Sequence, residues 1–393
     1  MRKGEAAVRG GHRRTYLLIA IATALSAVLG TTQAAIASPA GPNGNKVGWR
    51  PVLHVNQDIS NLNTVVAPSG HDVWVLGSVA KRSFHPPISP TAFHWNGHRW
   101  SKVSKASFPQ AVRKTGIACA GASSPSNVWA FAGATMFAGS ADEAGALRLI
   151  HGRWKLVKSF QPGLISSCLV LSPTQVWVFG DAHVAPGTGT WHLSGTKWTQ
   201  LPFDKFIIAD ASAISATDIW GEGENAFTFP GVEHWNGHRW IRNVKLTAVL
   251  PKDSSSMTVN FDGITALSDH DVLFRVIEAN CECGKPKFRK VVVLRWNGHS
   301  WGMVKRSDPD FYLPGAVPDG HGGWWSVSEQ SPAALLHLVH GHWVRVPVKI
   351  AGCPGLPDLL TEVTGTAATV ALQRCLTTKP PSLQYVLLNG QLP

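Results

Sequence analysis

His94-Trp95-Asn96-Gly97-His98-Arg99-Trp100 returns almost letter for letter at His234 to Trp240 and at Arg295 to Trp301. Asn-Gly between apolar runs marks a tight β-hairpin, because both residues accept the positive φ that such a turn demands. Degenerate copies stand at His151-Gly152-Arg153-Trp154, Ser194-Gly195-Thr196-Lys197-Trp198, His340-Gly341-His342-Trp343 and Asn389-Gly390. Their glycines are 55, 43, 42, 61, 43 and 49 residues apart. One hairpin therefore recurs roughly every 50 residues, a period at which repeat architectures must be considered first.

A second motif alternates strictly with the first. It is a polar turn leading into Val-Trp or Ile-Trp, at Ser69 to Trp74, Ser124 to Trp129, Ser172 to Trp177 and Ser215 to Trp220. Weaker copies follow at Ser268 to Leu273, Asp319 to Trp324 and Thr364 to Val370. Two turns per unit imply four short antiparallel strands: an inner strand A, strand B on Val-Trp, strand C, and strand D on the second Trp. Four strands in about 50 residues is the period of a propeller blade. The expected fold is all-β, a seven-bladed β-propeller with four antiparallel strands per blade.

The two ends of the repeat belong together. The last unit stops at Asn389-Gly390-Gln391-Leu392-Pro393 without a strand D, while Val47-Gly48-Trp49-Arg50-Pro51-Val52 has the pattern of a strand D ahead of the first unit. The N-terminal strand is thus expected to complete the last blade and close the ring. Of the chain's 17 tryptophans, set against 3 Tyr and 15 Phe, 15 fall in the repeat columns, as residues packing blade against blade.

These alternating units resemble exported actinobacterial β-propeller proteins and, more distantly, the kelch and galactose-oxidase-like propellers. The resemblance covers residues 47–393. It implies an architecture and leaves the activity open, since propellers host lectins, hydrolases, oxidases and scaffolds alike.

Ahead of the repeats lies an address. Arg2, Lys3, Arg9, Arg13 and Arg14 precede an uncharged apolar run from Tyr16 to Leu29, and Ala35-Ile36-Ala37 supplies small residues for cleavage. This reads as a signal peptide over residues 1–37, a linker over 38–46 and the propeller over 47–393, with an uncleaved signal anchor as the other reading. Removing residues 1–37 lowers the formal charge from +12 to +8. No other stretch is long and apolar enough to span a bilayer. The expected location is extracellular, with cell-wall association as one form of it, and the expected state is monomeric.

Six cysteines would meet an oxidising environment. Cys119 and Cys168 lie ten and nine residues before their strand B tryptophans, hence on neighbouring inner strands, where they could bridge two blades. Cys281 with Cys283, and Cys353 with Cys375, complete the disulfide candidates.

The A–B and C–D turns share one face. The opposite face carries the B–C and D–A connections, which vary most: Gly77 to Ala92, Gly133 to Ala146, Glu278 to Arg289, Gln373 to Ser382 and the insertion from Asn243 to Asn260. Variable connections on a rigid scaffold are the usual place for binding. The candidate ligand-binding residues there are Arg82, His85, Phe227, Phe229, Lys285, Lys287 and Arg374, and the basic excess points to an anionic partner.

The functional expectation is a non-catalytic secreted module that binds a carbohydrate, an anionic cell-wall polymer or a protein through this face. No nucleic acid, cofactor or metal is expected. The histidines at 94, 98, 151, 234, 238, 299, 340 and 342 recur because the hairpin recurs, whereas metal ligands must converge on one point. Sialidase-type Asp-box turns, Gly-x-Ser-x-Gly and His-Glu-x-x-His are absent from the sequence, and only Tyr312 and Tyr385 remain beyond the leader for a copper-radical site. No catalytic residue is assigned. Two alternatives stand beside this reading. One is a glycan-active hydrolase or lyase using acids such as Asp210, Asp262 and Glu278 at the channel mouth; the other is a purely structural extracellular protein.

Overall fold

In the computed structural model the described residues lie between 50 and 389; the longest internal stretches outside the description are 81–87, 135–142, 182–187, 250–257, 305–315, 349–356 and 363–368. The signal peptide and linker expected over 1–46, and Trp49, fall outside the described residues.

Each unit folds as an antiparallel four-stranded meander, A-B-C-D. Blade 1 is Ser60–Ser69, Asp72–Ala80, Ile88–Trp95 and Trp100–Lys102. Blades 2, 3, 4 and 5 repeat it, with inner strands Gly116–Ser124, Ile165–Ser172, Phe206–Ser215 and Thr258–Ser268. A closing blade has Pro357–Glu362 as its inner strand, followed by Thr369–Thr378 and Pro381–Asn389. Its outer strand is Arg50–Gln57 from the start of the chain, with Pro51 opposite Leu388 and Val55 opposite Tyr385. A closed ring of this kind leaves no unpaired blade edge between first and last.

The expectation of a seven-bladed propeller requires correction. Among the described residues six blades are fully formed, with inner strands of 6 to 11 residues. The described part of the unit between blade 5 and the closing blade is a reduced sheet, whose inner strand is Val317–Pro318 and pairs with Trp324–Val327 through two residues. Pro318, within that inner strand, has no N–H to give to a ladder.

The turns are built by side chains that the repeat supplies. Asn96 Oδ1 accepts the backbone N–H groups of His98 and Arg99 at 3.1 and 3.0 Å, and Asn236 and Asn297 do the same in blades 4 and 5. Gly97, Gly237 and Gly298 hold φ of 86°, 89° and 90°, so a side chain there would be strained. Below the turn, Asp72 accepts hydrogen bonds from Trp74 Nε1 at 2.7 Å and His94 Nε2 at 2.8 Å, and the His94 ring stacks on Trp74 at 3.9 Å. Asp218–His234 and Asp319–His337 repeat the pair, Gln175–His192 replaces it in blade 3, and Asp271–Arg295 replaces it in blade 5.

The strand B and strand D tryptophans meet across blade boundaries, edge to face: Trp74 on Trp154, Trp129 on Trp198, Trp177 on Trp240 and Trp220 on Trp301. Such pairs contribute about 0.5–1.5 kcal/mol each beyond their buried area. Two single-turn 3-10 helices, Lys105–Ser107 and Gln110–Val112, join blades 1 and 2; the strand pattern does not announce them. They bury Phe108, which stacks on Trp154. Among the described residues no helix is long and apolar enough to cross a membrane.

Candidate binding cleft between blades 3 and 4

On the face that carries the B–C and D–A connections, a cavity of about 410 Å³ opens between blades 3 and 4. Blade 3 contributes Gly180 at the end of strand B, Thr190 ahead of strand C, and Gln200 to Pro202 where strand D leaves. Blade 4 contributes Phe206 and Ile208 from its inner strand, Glu233 from strand C and Trp240 from strand D.

Glu233 breaks the repeat. Counting two residues back from the strand C partner in the C–D hairpin, the column reads Phe93, Leu147, Trp191, Glu233, Leu294 and Leu336. One acid stands among five apolar residues, and it is 4 % exposed. Its neighbour across strand B is Gly221, where blades 1, 3 and 5 place Val75, Val178 and Phe274. A Cβ at 221 would meet the Ile208 side chain at 3.0 Å, so Ile208 leans over the glycine as one wall of the cavity. Arg242 Nε lies 3.5 Å from Glu233 Oε1, and the same guanidinium sits 5.0 Å from the centre of the Phe206 ring. The cleft therefore combines a buried carboxylate, a partly exposed guanidinium, the Gln200 amide and two aromatic rings. That mixture suits a ligand with an apolar face and hydroxyl edges.

The described residues do not include the side chains expected from sequence to bind ligand. Arg82, His85 and Phe227 lie outside the described residues. Phe229, Lys285, Lys287 and Arg374 have backbone positions on strands Thr228–Trp235, Lys285–Trp296 and Thr369–Thr378, while their side chains lie outside the description. The segments read as loops at 278–289 and 373–382 are mostly strand: Asp271–Glu282 pairs with Lys285–Trp296 up to Glu282 opposite Lys285, and Thr369–Thr378 pairs with Pro381–Asn389. Glu233 was missed, although the column in which it stands out is written in the sequence just before His94, His234 and Arg295.

A second acidic feature lies at the boundary of blades 4 and 5. Asp210 on strand A stands directly opposite Glu222 on strand B, and they are 5 % and 2 % exposed. Burial pushes the Asp210 carboxyl up to about 7, against hydrogen bonds from the Ala211 and Ile264 amides and from Ser167 Oγ at 3.2 Å that pull it down. Burial, with the neighbouring Asp210 and Glu224, holds Glu222 well above the usual carboxylate range. Neither lines the cleft. Asp262 and Glu278 have backbone positions on the strands of blade 5, and their side chains lie outside the description.

Cys119 and Cys168 form a disulfide between the inner strands of blades 2 and 3, with Cα atoms 6.1 Å apart. Cys281 and Cys375 have backbone positions on strands; Cys283 and Cys353 lie outside the described residues.

No family model matches the sequence, and no curated protein matches it. Solved structures do. A structure described as YCF48 bound to D1 peptide aligns with a TM-score of 0.55 at 10 % identity, covering 89 % of this chain and 99 % of that one. The SapL1 lectin in complex with α-methyl fucoside aligns at 0.40 and 14 % identity, covering 75 % and 97 %. The β-propeller domain of the Trilobed protease from Pyrococcus furiosus aligns at 0.44 and 10 % identity, covering 80 % and 91 %. The chain is a β-propeller; at such identity the likeness extends to the fold alone.

Proposed function

We propose that this protein is a non-catalytic binding module that recognises a carbohydrate through the face bearing the B–C and D–A connections, in the cleft between blades 3 and 4. The observation that carries the reading is Glu233: a buried acid, alone in an apolar column, at the wall of a 410 Å³ cavity that also holds Phe206 and Trp240. A carboxylate in place of an apolar residue, paired with Arg242 and beside aromatic rings, offers acceptors to sugar hydroxyls and an apolar wall to the ring. A glycan-active enzyme is less well supported, because Asp210 and Glu222, the acids with raised proton affinity, are buried away from this cleft.

The test is a glycan-binding screen followed by calorimetry on the strongest hit. Glu233→Leu, which restores the residue type of the other blades, is expected to weaken binding about thirtyfold, the loss of roughly 2 kcal/mol from charge-assisted hydrogen bonds, with the thermal midpoint retained. Unchanged affinity in this variant, or no glycan bound at millimolar concentration, sinks the reading.

The charge-then-apolar layout of residues 1–37 supports an extracellular location for this module, where a propeller with a basic surface meets glycans and wall polymers. Secretion in a heterologous bacterial host is expected to yield a mature protein whose first residue is Ser38. An intact-mass measurement checks it, and a product that retains residues 1–37 refutes cleavage.

A further inference from the structure

The hairpin-turn face, opposite the cleft, is charged in one direction. In the C–D turns, Arg99, Arg153, Lys197 and Arg239 are exposed, one in each of blades 1 to 4. Among the described residues of the A–B and C–D turns, the exposed acid set against them is Asp269. The other described turn acids are already engaged: Asp72 with Trp74 and His94, Asp218 with His234, Asp319 with His337, and Asp271 with both Nε and the terminal nitrogen of Arg295 at 2.7 Å.

Histidines extend the same pattern. His71 sits over the Gly97 turn that carries His98 and Arg99. His270 sits over the Gly298 turn, its ring 6.5 Å from that of His299 and its Nδ1 3.6 Å from Asp269. His151 stands two residues before Arg153, and His238 stands beside Arg239 with Thr217 beneath the turn. All six rings are exposed, and none is used to build a turn through its side chain. The turn chemistry requires Asn and Gly; the next position only donates its backbone N–H to Asn96, Asn236 or Asn297. A histidine there is free to serve the surface.

From this face we infer a second binding surface, for a linear polyanion whose carboxylate or phosphate groups are spaced along a chain. Fixed guanidinium and ammonium groups repeated from blade to blade match a repeating anion better than a single small one, and such attraction falls as salt screens it. The six exposed histidine rings add further N–H groups that can donate to anionic oxygens. Asp269, beside His270, is the one exposed acid among the described residues of these turns to oppose an anion.

The experiment measures retention of the purified full chain on immobilised polyphosphate and on immobilised polygalacturonate at pH 7.5 over a salt series. Binding is expected to weaken steeply with salt. Arg99→Gln with Arg239→Gln weakens binding about tenfold. His71→Lys with His270→Lys, a gain rather than a loss, tightens it. Retention on either polymer with these responses supports the surface, and the preferred polymer tells phosphate from carboxylate chemistry. Retention on neither, or retention unchanged by the substitutions, overturns it. Glu233→Leu leaves all of these readings untouched, so failure here and failure of the cleft are distinguishable.

Discussion

Replacing Asp210 by Asn and Glu222 by Gln is expected to make the protein more stable at pH 8 than the native chain, with a thermal midpoint higher by roughly 6 °C. An acid held at about 7 in the folded state, against 3.8 in the ordinary range, keeps its proton when folded and loses it when unfolded. Three pH units at 1.36 kcal/mol each correspond to roughly 4 kcal/mol for Asp210 alone. The sign follows from which state binds more protons. The contribution is fully present below about pH 4, declines between pH 4 and 7, and is gone above pH 7, while Glu222, also raised, extends the decline to higher pH. His192 works the other way: burial lowers its proton affinity, so its share is lost as pH falls. The difference between native and substituted proteins, measured from pH 5 to pH 9, cancels that histidine. The side-chain amide introduced by Asp210→Asn keeps an oxygen for the Ile264 and Ala211 amides and for Ser167 Oγ, so the bridge between inner strands survives the change. A midpoint difference that is flat across this range shows that the pair does not hold its proton in the folded state.

That buried pair marks the limit of what could be read before the structure. The alternation Asp218, Trp220, Glu222, Glu224 puts the acids on the face of a tryptophan that meets the next blade, and period-two reasoning reaches that far. The partner strand cannot be placed the same way, because a register shift between Ile208 and Asp210 decides which inner-strand side chain stands opposite Glu222. Turn chemistry was far more legible: Asn-Gly and Asp-Val-Trp each specify a local geometry through one side chain, and repetition carried that geometry around the ring. The reduced sheet shows the converse. His340 to Trp343 retains the hairpin letters, yet the described inner strand of that unit is only Val317–Pro318, with a proline that cannot donate to the ladder. Glu233, on which the proposed cleft rests, was hidden for a third reason, since a residue that departs from a repeat is visible only once the columns are aligned.

Loss of the Cys119–Cys168 bond, by substituting both with Ala or by reduction, is expected to lower the thermal midpoint by roughly 6 °C. The two cysteines show how a one-residue difference in spacing becomes a covalent link. Cys119 stands opposite Phe131 and Cys168 opposite Val178. Phe131 lies on the side of strand B that Trp129 presents to blade 3, where it meets Trp198, while Val178 lies on the side away from Trp177. Offsets of ten and nine residues from those tryptophans therefore turn the two sulfurs toward each other across one boundary, in a cluster with Ile165, Val176 and Phe160. Closing 49 residues removes unfolded-state freedom worth about 4 kcal/mol in the chain-entropy account. Spread over the unfolding entropy of a chain of this size, that becomes the stated shift in midpoint. Both residues are fully buried among apolar neighbours, so Ala leaves no unpaired polar atom and the loss reports the cross-link. Differential scanning calorimetry of the native and doubly substituted proteins, at one scan rate, checks it. A shift below about 1 °C would mean that the aromatic packing between blades 2 and 3 already restrains the chain as tightly as the bond does.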